Sequence, residues 1–416
     1  MQRPGSVTQA GTPRLAALDG LAFGLLAAMP LGMALVNRSA QPLLLLATAA
    51  ALAARLQSGE MGAVWQRIRA LLCTPIGVSA LAFLVFAGLS MAWSHHLKIS
   101  LSAYGELLAA AGAALVLHAC LPREVPGWAV KLAAVSVAIG CLTIVAELAT
   151  AMTFRASLGV RNYAFIFKRS VTAILILGWP LAAYLWLTGR RPIAVAVALL
   201  FLIATYVAHS SATALGLAVG LVVLVAAALC PKRGSLAVAA ALGAGLLIAP
   251  VLGDTAARIL PQRLVERLHF AHAADRIAIW QSFGEVVKRR PIAGVGFGTS
   301  SAMPRDPVAA EVPAERRVLL GAWHPHNGYL QVWAETGLIG AALFGATLLL
   351  SVLALGRLPR TRAAASCAMV ASAGAVMLVG HGIWQGWWSA VIGAAVIWLA
   401  RLPDGPAATP ARPPRP

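Results

Sequence analysis

The sequence predicts an all-α, polytopic membrane protein of about twelve transmembrane helices with one long hydrophilic loop. Three observations point there. Of 416 residues, 60% are apolar and only 11% are charged, and mean hydropathy is +0.80, outside the range of soluble domains. Apolar runs of 15–28 residues recur along the chain, separated by short Arg-bearing breaks; about 20 residues cross a hydrocarbon core roughly 30 Å thick. A single hydrophilic stretch, 253–326, is too long for a connection and too short for a domain with its own large core.

Residues 1–14 read as a polar cytoplasmic tail. Nine spans then fill 15–252: Leu15–Val36, Pro42–Leu56, Leu71–Trp93, Leu101–Leu121, Trp128–Phe154, Ser170–Leu187, Pro192–Ala208, Thr213–Cys230 and Ser235–Leu252. The first is long and lacks a clear small-residue cleavage site, so it reads as an uncleaved helix. After the loop come Asn327–Leu355, Ala363–Gly380 and Gly382–Ala400, within 327–400, and a cytoplasmic tail at 401–416 with six prolines.

Orientation follows from counting cations. With the N-terminus inside, the cytoplasmic segments carry 17 Lys and Arg and the short outer loops carry six, as the positive-inside rule requires. Both termini are then expected in the cytoplasm of a bacterial inner membrane, with the long loop in the periplasm. Four of the six outer cations, Arg155, Arg161, Lys168 and Arg169, crowd into 15 residues with no acid. A cluster against the topological bias reads as an anion site, since the planar guanidinium grips phosphate through paired hydrogen bonds.

The five cysteines show no CxxC spacing, which excludes a disulfide framework or a metal knuckle. The net charge of +19 fits cytoplasmic loops and contact with anionic membrane lipids, and no nucleic-acid module accompanies it. No repeat relates the two halves, which argues against a transporter built from inverted repeats. Trp93, Trp179, Trp186, Trp384, Trp387 and Trp388 read as interfacial belt residues. Glu106, Glu147, His118 and His209 lie within spans, where ionisable groups are functional suspects; Glu106 reads as a packing contact.

Within the loop, Asp275 is expected to cap a helix ended by Pro291, with Arg276, Trp280 and Val287 on one stripe. Gly294-Val295-Gly296-Phe297-Gly298 reads as a tight turn rather than a dinucleotide fingerprint, since no βαβ unit surrounds it. Asn327 is expected to cap the tenth span, placing His326 at a helix N-terminus, where a side chain titrating near neutrality can exchange a proton. His324 and His326, two apart in an extended segment, should point in opposite directions.

These motifs resemble those of the O-antigen ligase and polymerase superfamily. The matching residues are Arg276 and Trp280, then Pro291, Gly294, Gly296 and Gly298, then His326, Asn327, Tyr329 and Leu330, then Glu335, Gly337 and Gly340. The resemblance implies a GT-C-like architecture and an O-antigen ligase that moves a glycan from undecaprenyl pyrophosphate to a sugar hydroxyl of lipid A–core at the periplasmic face. It implies Arg276 as the pyrophosphate arginine, with Arg161, Lys168, Arg169 and Arg155 as partners, and His326 as the base or orienting group. His324, Asn327, Tyr329 and Trp280 are expected to support them. Glu335 has two readings, orienting His326 or forming an ion pair. No Asp-x-Asp occurs, so transfer is expected without a metal or other cofactor, arginines taking the cation's place, and with inversion as a family property. An O-antigen polymerase and a lipid-linked sugar flippase are the competing readings.

Overall fold

The computed structural model of the protein describes residues 13–160, 163–268, 272–380 and 382–403, and among them every regular element is helical. Apolar stretches bounded by polar breaks form the hairpin α1 (Pro13–Leu35) and α2 (Ala40–Gln57). α3 (Met61–Leu72) follows, inside what the sequence reading left as a break. It escapes a hydropathy scan because it is amphipathic: Val64 is buried, Trp65 is exposed, and Arg67 donates to Ala119 O at 2.8 Å.

α4 (Pro75–Ser90) starts where the Thr74 hydroxyl accepts from Gly77 N–H and Pro75 needs no partner. α5 (Leu97–Cys120) and α6 (Gly127–Ala149) come next. α6 stops short of the expected Phe154, because Ala151 and Met152 take left-handed backbone before the short α7 (Thr153–Ser157). α8 (Phe167–Leu187), α9 (Arg191–Val207), α10 (Ser211–Leu229) and α11 (Pro231–Ile248) complete the first part of the bundle. The hydrophilic segment carries α12 (Leu252–Ile259), α13 (Gln262–Arg267), α14 (Ala273–Arg289), α15 (Val308–Glu311) and α16 (Ala314–Arg317). The chain then re-enters the bundle through α17 (Gly328–Leu355), α18 (Arg360–Val379) and α19 (Gly386–Leu399).

Ten helical stretches among the described residues are long and apolar enough to cross a membrane, and α9 and α19 are shorter apolar helices. The apolar side chains face outward as well as inward. Val222, Leu229 and Leu247 are 71%, 74% and 75% exposed, as lipid-facing positions should be. Between helices, small residues permit close approach. A Cβ on Gly220 of α10 would stand 2.2 Å from Ser372 Oγ of α18 and 2.5 Å from the Trp179 ring. Trp179, Trp384, Trp387 and Trp388 are buried against protein, while Trp93 and Trp186 are exposed.

The hydrophilic segment is packed onto one end of the bundle. Phe283, Phe297, Met303 and Leu320 are fully buried in one core with residues of α4, α11 and α17. Its acids are largely consumed internally. Glu285 binds Lys288, Arg289 and Arg316, Asp254 binds Lys288 and Arg316, and Glu311 binds Arg290. Those partners hold the carboxyls of Asp254 and Glu285 below the usual carboxylate range, although burial pushes the other way.

Candidate functional site

The site is built on a break in α17. Gly337 has φ 61° and ψ −160° inside this helix, a conformation essentially restricted to glycine. The break frees carbonyls before it and N–H groups after it, and the Pro291–Gly298 turn takes both sets. Val295 N and Gly296 N donate to the carbonyls of Ala334 and Glu335 at 3.1 and 2.9 Å. Leu338 N and Ile339 N donate to the carbonyls of Pro291 and Ile292 at 2.8 and 3.2 Å. Contact is so close that a Cβ on Gly294 would lie 2.3 Å from the Glu335 carbonyl carbon, and Gly294, Gly296 and Gly298 all have positive φ. The glycine run is thus a turn that docks on a helix break.

Glu335 locks this joint. Its carboxylate is fully buried and accepts five hydrogen bonds, from Gly298 N, Ser300 N, Ser300 Oγ, Gln331 Nε2 and Trp384 Nε1. It therefore neither orients His326 nor pairs with an arginine, the two roles the sequence suggested. Five donors on one carboxylate substitute for the water it gave up on burial.

His326 lies just ahead of α17, which begins at Gly328. Asn327 caps α17 as expected, its Oδ1 accepting from Leu330 N at 3.1 Å. Its Nδ2 is buried without a partner. The expected extended segment is absent: His326 has φ 50°, and His326 N donates to His324 Nδ1 at 3.2 Å. That turn brings the two imidazoles together, with centroids 4.2 Å apart, so they do not diverge. His326 Nδ1 lies 3.1 Å from Gly380 O. A carbonyl only accepts, so Nδ1 carries the proton and Nε2 presents a lone pair. Burial, then the positive charge of Arg276, hold His326 below its ordinary pKa, the Gly380 bond opposing them in part. Tyr329, two residues into α17, is buried with its hydroxyl on Gly374 O at 3.3 Å.

Arg276 projects from the first turn of α14. That helix begins at Ala273, ahead of the expected cap; Asp275 lies within its first turn and faces His272 Nδ1 at 3.3 Å. Among the described residues Arg276 has no hydrogen-bond or ion-pair partner, and burial lowers its pKa from the ordinary value while leaving it charged at neutral pH. Trp280, one turn on, is buried with its Nε1 unpartnered.

Beside His324 opens a chamber of about 530 Å³, which His326 and Arg276 do not themselves line. Gly298 and Ser300 of the glycine turn, His324, Gln331, Trp384, Arg38, Lys98 and Glu106 line it. Sequence reasoning missed Arg38 and Lys98 as lining residues, since an isolated outer cation carries no motif, and it read Glu106 as a packing contact. Trp384 also roofs a largely apolar cavity of about 490 Å³ between α4, α5, α17, α18 and α19.

The outer cation cluster divides. Arg169 in the first turn of α8 lies over the Trp387 ring, 5.8 Å from its centroid, and Trp387 lines the chamber. Lys168 beside it is half-buried. Arg155 turns inward instead. It is 8% exposed, its guanidinium donates to Ala34 O and Leu35 O at 3.1 and 2.6 Å, and it covers the Phe167 ring. It thus closes the carbonyl end of α1. Arg161 lies outside the described residues.

Residues 196–345, from α9 through the break in α17, match the family model described as O-antigen ligase. Curated proteins align as well. One from Rickettsia felis, carrying the name "Putative polysaccharide ligase", is 28% identical over 240 residues, and one of the same name from Rickettsia bellii is 26% identical over 242 residues. Each alignment covers 57% of this chain, and the chain spans just over half, 57%, of each relative. The matched stretch spans Arg276, the glycine turn, His326 and Glu335.

Proposed function

We propose that the protein is an O-antigen ligase, which transfers polysaccharide from undecaprenyl pyrophosphate to a sugar hydroxyl of lipid A–core at the periplasmic face of the bacterial inner membrane. The observation that carries this reading is His326, fixed in one tautomer by Gly380 O with Nε2 left open, beside an Arg276 that has no carboxylate partner.

In this reading the acceptor hydroxyl gives its proton to His326 Nε2 as its oxygen attacks the anomeric carbon. The bond from that carbon to the pyrophosphate oxygen breaks, and the charge that develops on the leaving group falls to Arg276. Arg169 and Lys168 hold the same pyrophosphate with it, Arg161 is the further candidate that the sequence offers, and Arg38 and Lys98, which line the chamber, add positive charge. Fixed guanidinium donors do the work a divalent cation would do, so no metal is required, and attack opposite the leaving group inverts the anomeric centre. A general base of this kind contributes about 10²–10⁴-fold, and one positioned charge donor about 2–4 kcal/mol of transition-state stabilisation.

The test uses purified protein, undecaprenyl-pyrophosphate-linked polysaccharide and lipid A–core in detergent with EDTA, with product read as capped lipopolysaccharide on a gel. Product that persists in EDTA and is lost in both His326→Ala and Arg276→Ala is the expected result. Lengthening of carrier-linked single repeats, without capping, would make the protein a polymerase. Neither product, together with uptake of lipid-linked sugar that tolerates His326→Ala, would make it a transporter.

A further inference from the structure

We infer that Trp323 and Glu106 form a sugar-ring subsite at the mouth of the polar chamber, one that selects the glycan brought to His326. The inference rests on the glycosyl-transfer reading above, and it assigns roles to two residues outside the motifs.

Trp323 combines two costs. It holds left-handed backbone, φ 64°, which a bulky residue rarely adopts and which stores strain. Its side chain is also 74% exposed, so packing within the fold does not offset that strain. The turn that imposes it, closed by His324 N donating to Ala322 O at 2.8 Å, brings Trp323 and His324 together onto the chamber wall. A flat aromatic face is what the C–H face of a sugar ring stacks on.

The lining also supplies hydrogen bonding. Among the described residues Glu106 is the one carboxylate lining the chamber. Its Oε2 accepts from Gly386 N at 2.8 Å, which orients the group and leaves Oε1 to accept from a ligand hydroxyl. Gln385 Oε1 accepts from Trp387 Nε1 at 2.7 Å, which leaves Nε2 to donate. An acceptor and a donor held side by side suit hydroxyls, which both give and take hydrogen bonds. The chamber volume, about 530 Å³, lies within the roughly 300–1,000 Å³ of small-molecule sites. The ring belongs either to the carrier-linked donor or to the acceptor, and the two are separable by kinetics.

Initial rates are measured against undecaprenyl-pyrophosphate-linked polysaccharide and, separately, against lipid A–core, for wild type, Trp323→Ala, Trp323→Phe and Glu106→Gln. Thermophoretic binding of each lipid runs in parallel. Trp323→Ala should raise KM and Kd for one of the two about tenfold, the size of a lost stacking contact. kcat should hold within about threefold, Trp323→Phe should restore KM, and Glu106→Gln should raise KM for the same lipid. Whichever lipid responds is the source of the ring. Unchanged KM and Kd for both lipids in Trp323→Ala overturns the inference, including the case where only thermal stability moves, as for an interfacial anchor. Effects of the two variants on different lipids overturn it as well. If wild type binds but does not transfer, the ligase reading fails, and the Kd values alone decide the subsite.

Discussion

His326 carries the most exposed prediction. An unperturbed imidazole titrates near 6.5, and here burial and Arg276 lower that value. The base therefore stays neutral as pH falls somewhat below 6.5, and the acid limb of kcat/KM should lie below the ordinary histidine value. Replacing Arg276 by Gln removes the neighbouring charge, so the limb of the residual activity should move up in pH. A limb that stays put or moves down would separate the two residues. The same shift has a stability side. Below about pH 6.5 the unfolded chain takes a proton that the folded imidazole resists, so this group's contribution to stability falls with falling pH. Glu335 is the second residue-scale case. Glu335→Gln turns an acceptor of five hydrogen bonds into a group with two donors of its own, and should cost about 1.5–3 kcal/mol, read as a lower unfolding temperature in detergent. An unchanged midpoint would show that the carboxylate is not what locks the turn. The Asn327 cap was legible, and His326 and Arg276 stood out as candidates, because each belongs to a spaced motif. The role of Glu335 was not, since its five donors come from three separate stretches of chain.

At the level of elements, the break in α17 decides the geometry. Hydropathy reads Asn327–Leu355 as one uninterrupted span; the torsions of Gly337 and the hydrogen bonds diverted to the Pro291–Gly298 turn reveal the interruption. Gly337→Ala would force a Cβ to within 2.4 Å of the Ile292 carbonyl in a backbone region that itself costs about 1–3 kcal/mol for a non-glycine residue. The expected outcome is a release of the Pro291–Gly298 turn, with faster proteolysis between Gly298 and Arg317 and a lower unfolding midpoint. A variant as protease-resistant as wild type would mean that the turn docks without the break. α3 and the inward-turned Arg155 escaped the sequence reading for a related reason. Amphipathic periodicity is diluted in so apolar a chain, and a guanidinium aimed at the carbonyl end of α1 looks, in sequence, like any other outer cation.

Across the whole molecule, helix order places the α1–α2 turn, the start of α5, the segment between α6 and α8, the long hydrophilic segment and the α18–α19 connection at one end of the bundle. That arrangement follows from an even alternation of spans, which composition alone made legible. The side of the membrane on which this end lies can be checked by cysteine labelling in a Cys-free background. Glu315→Cys should react with an impermeant maleimide in intact cells, and Arg357→Cys only after the membrane is opened. The opposite pattern would invert the orientation drawn from the charge count. The shape of the chamber was not legible, because its walls come from six regions that share no periodicity.

The joint at Gly337 also sets an order of assembly. Residues 291–298 leave the ribosome before α17, whose carbonyls they need, and α17 leaves before Trp384, which completes the donor set on Glu335. Until α17 has emerged, the N–H groups of Val295, Gly296 and Gly298 must stay with water. A nascent chain halted between residue 298 and α17 holds Arg276 but cannot fix the turn. Quality control acting on such chains would meet an undocked, protease-accessible loop, so the site itself reports whether α17 has been inserted.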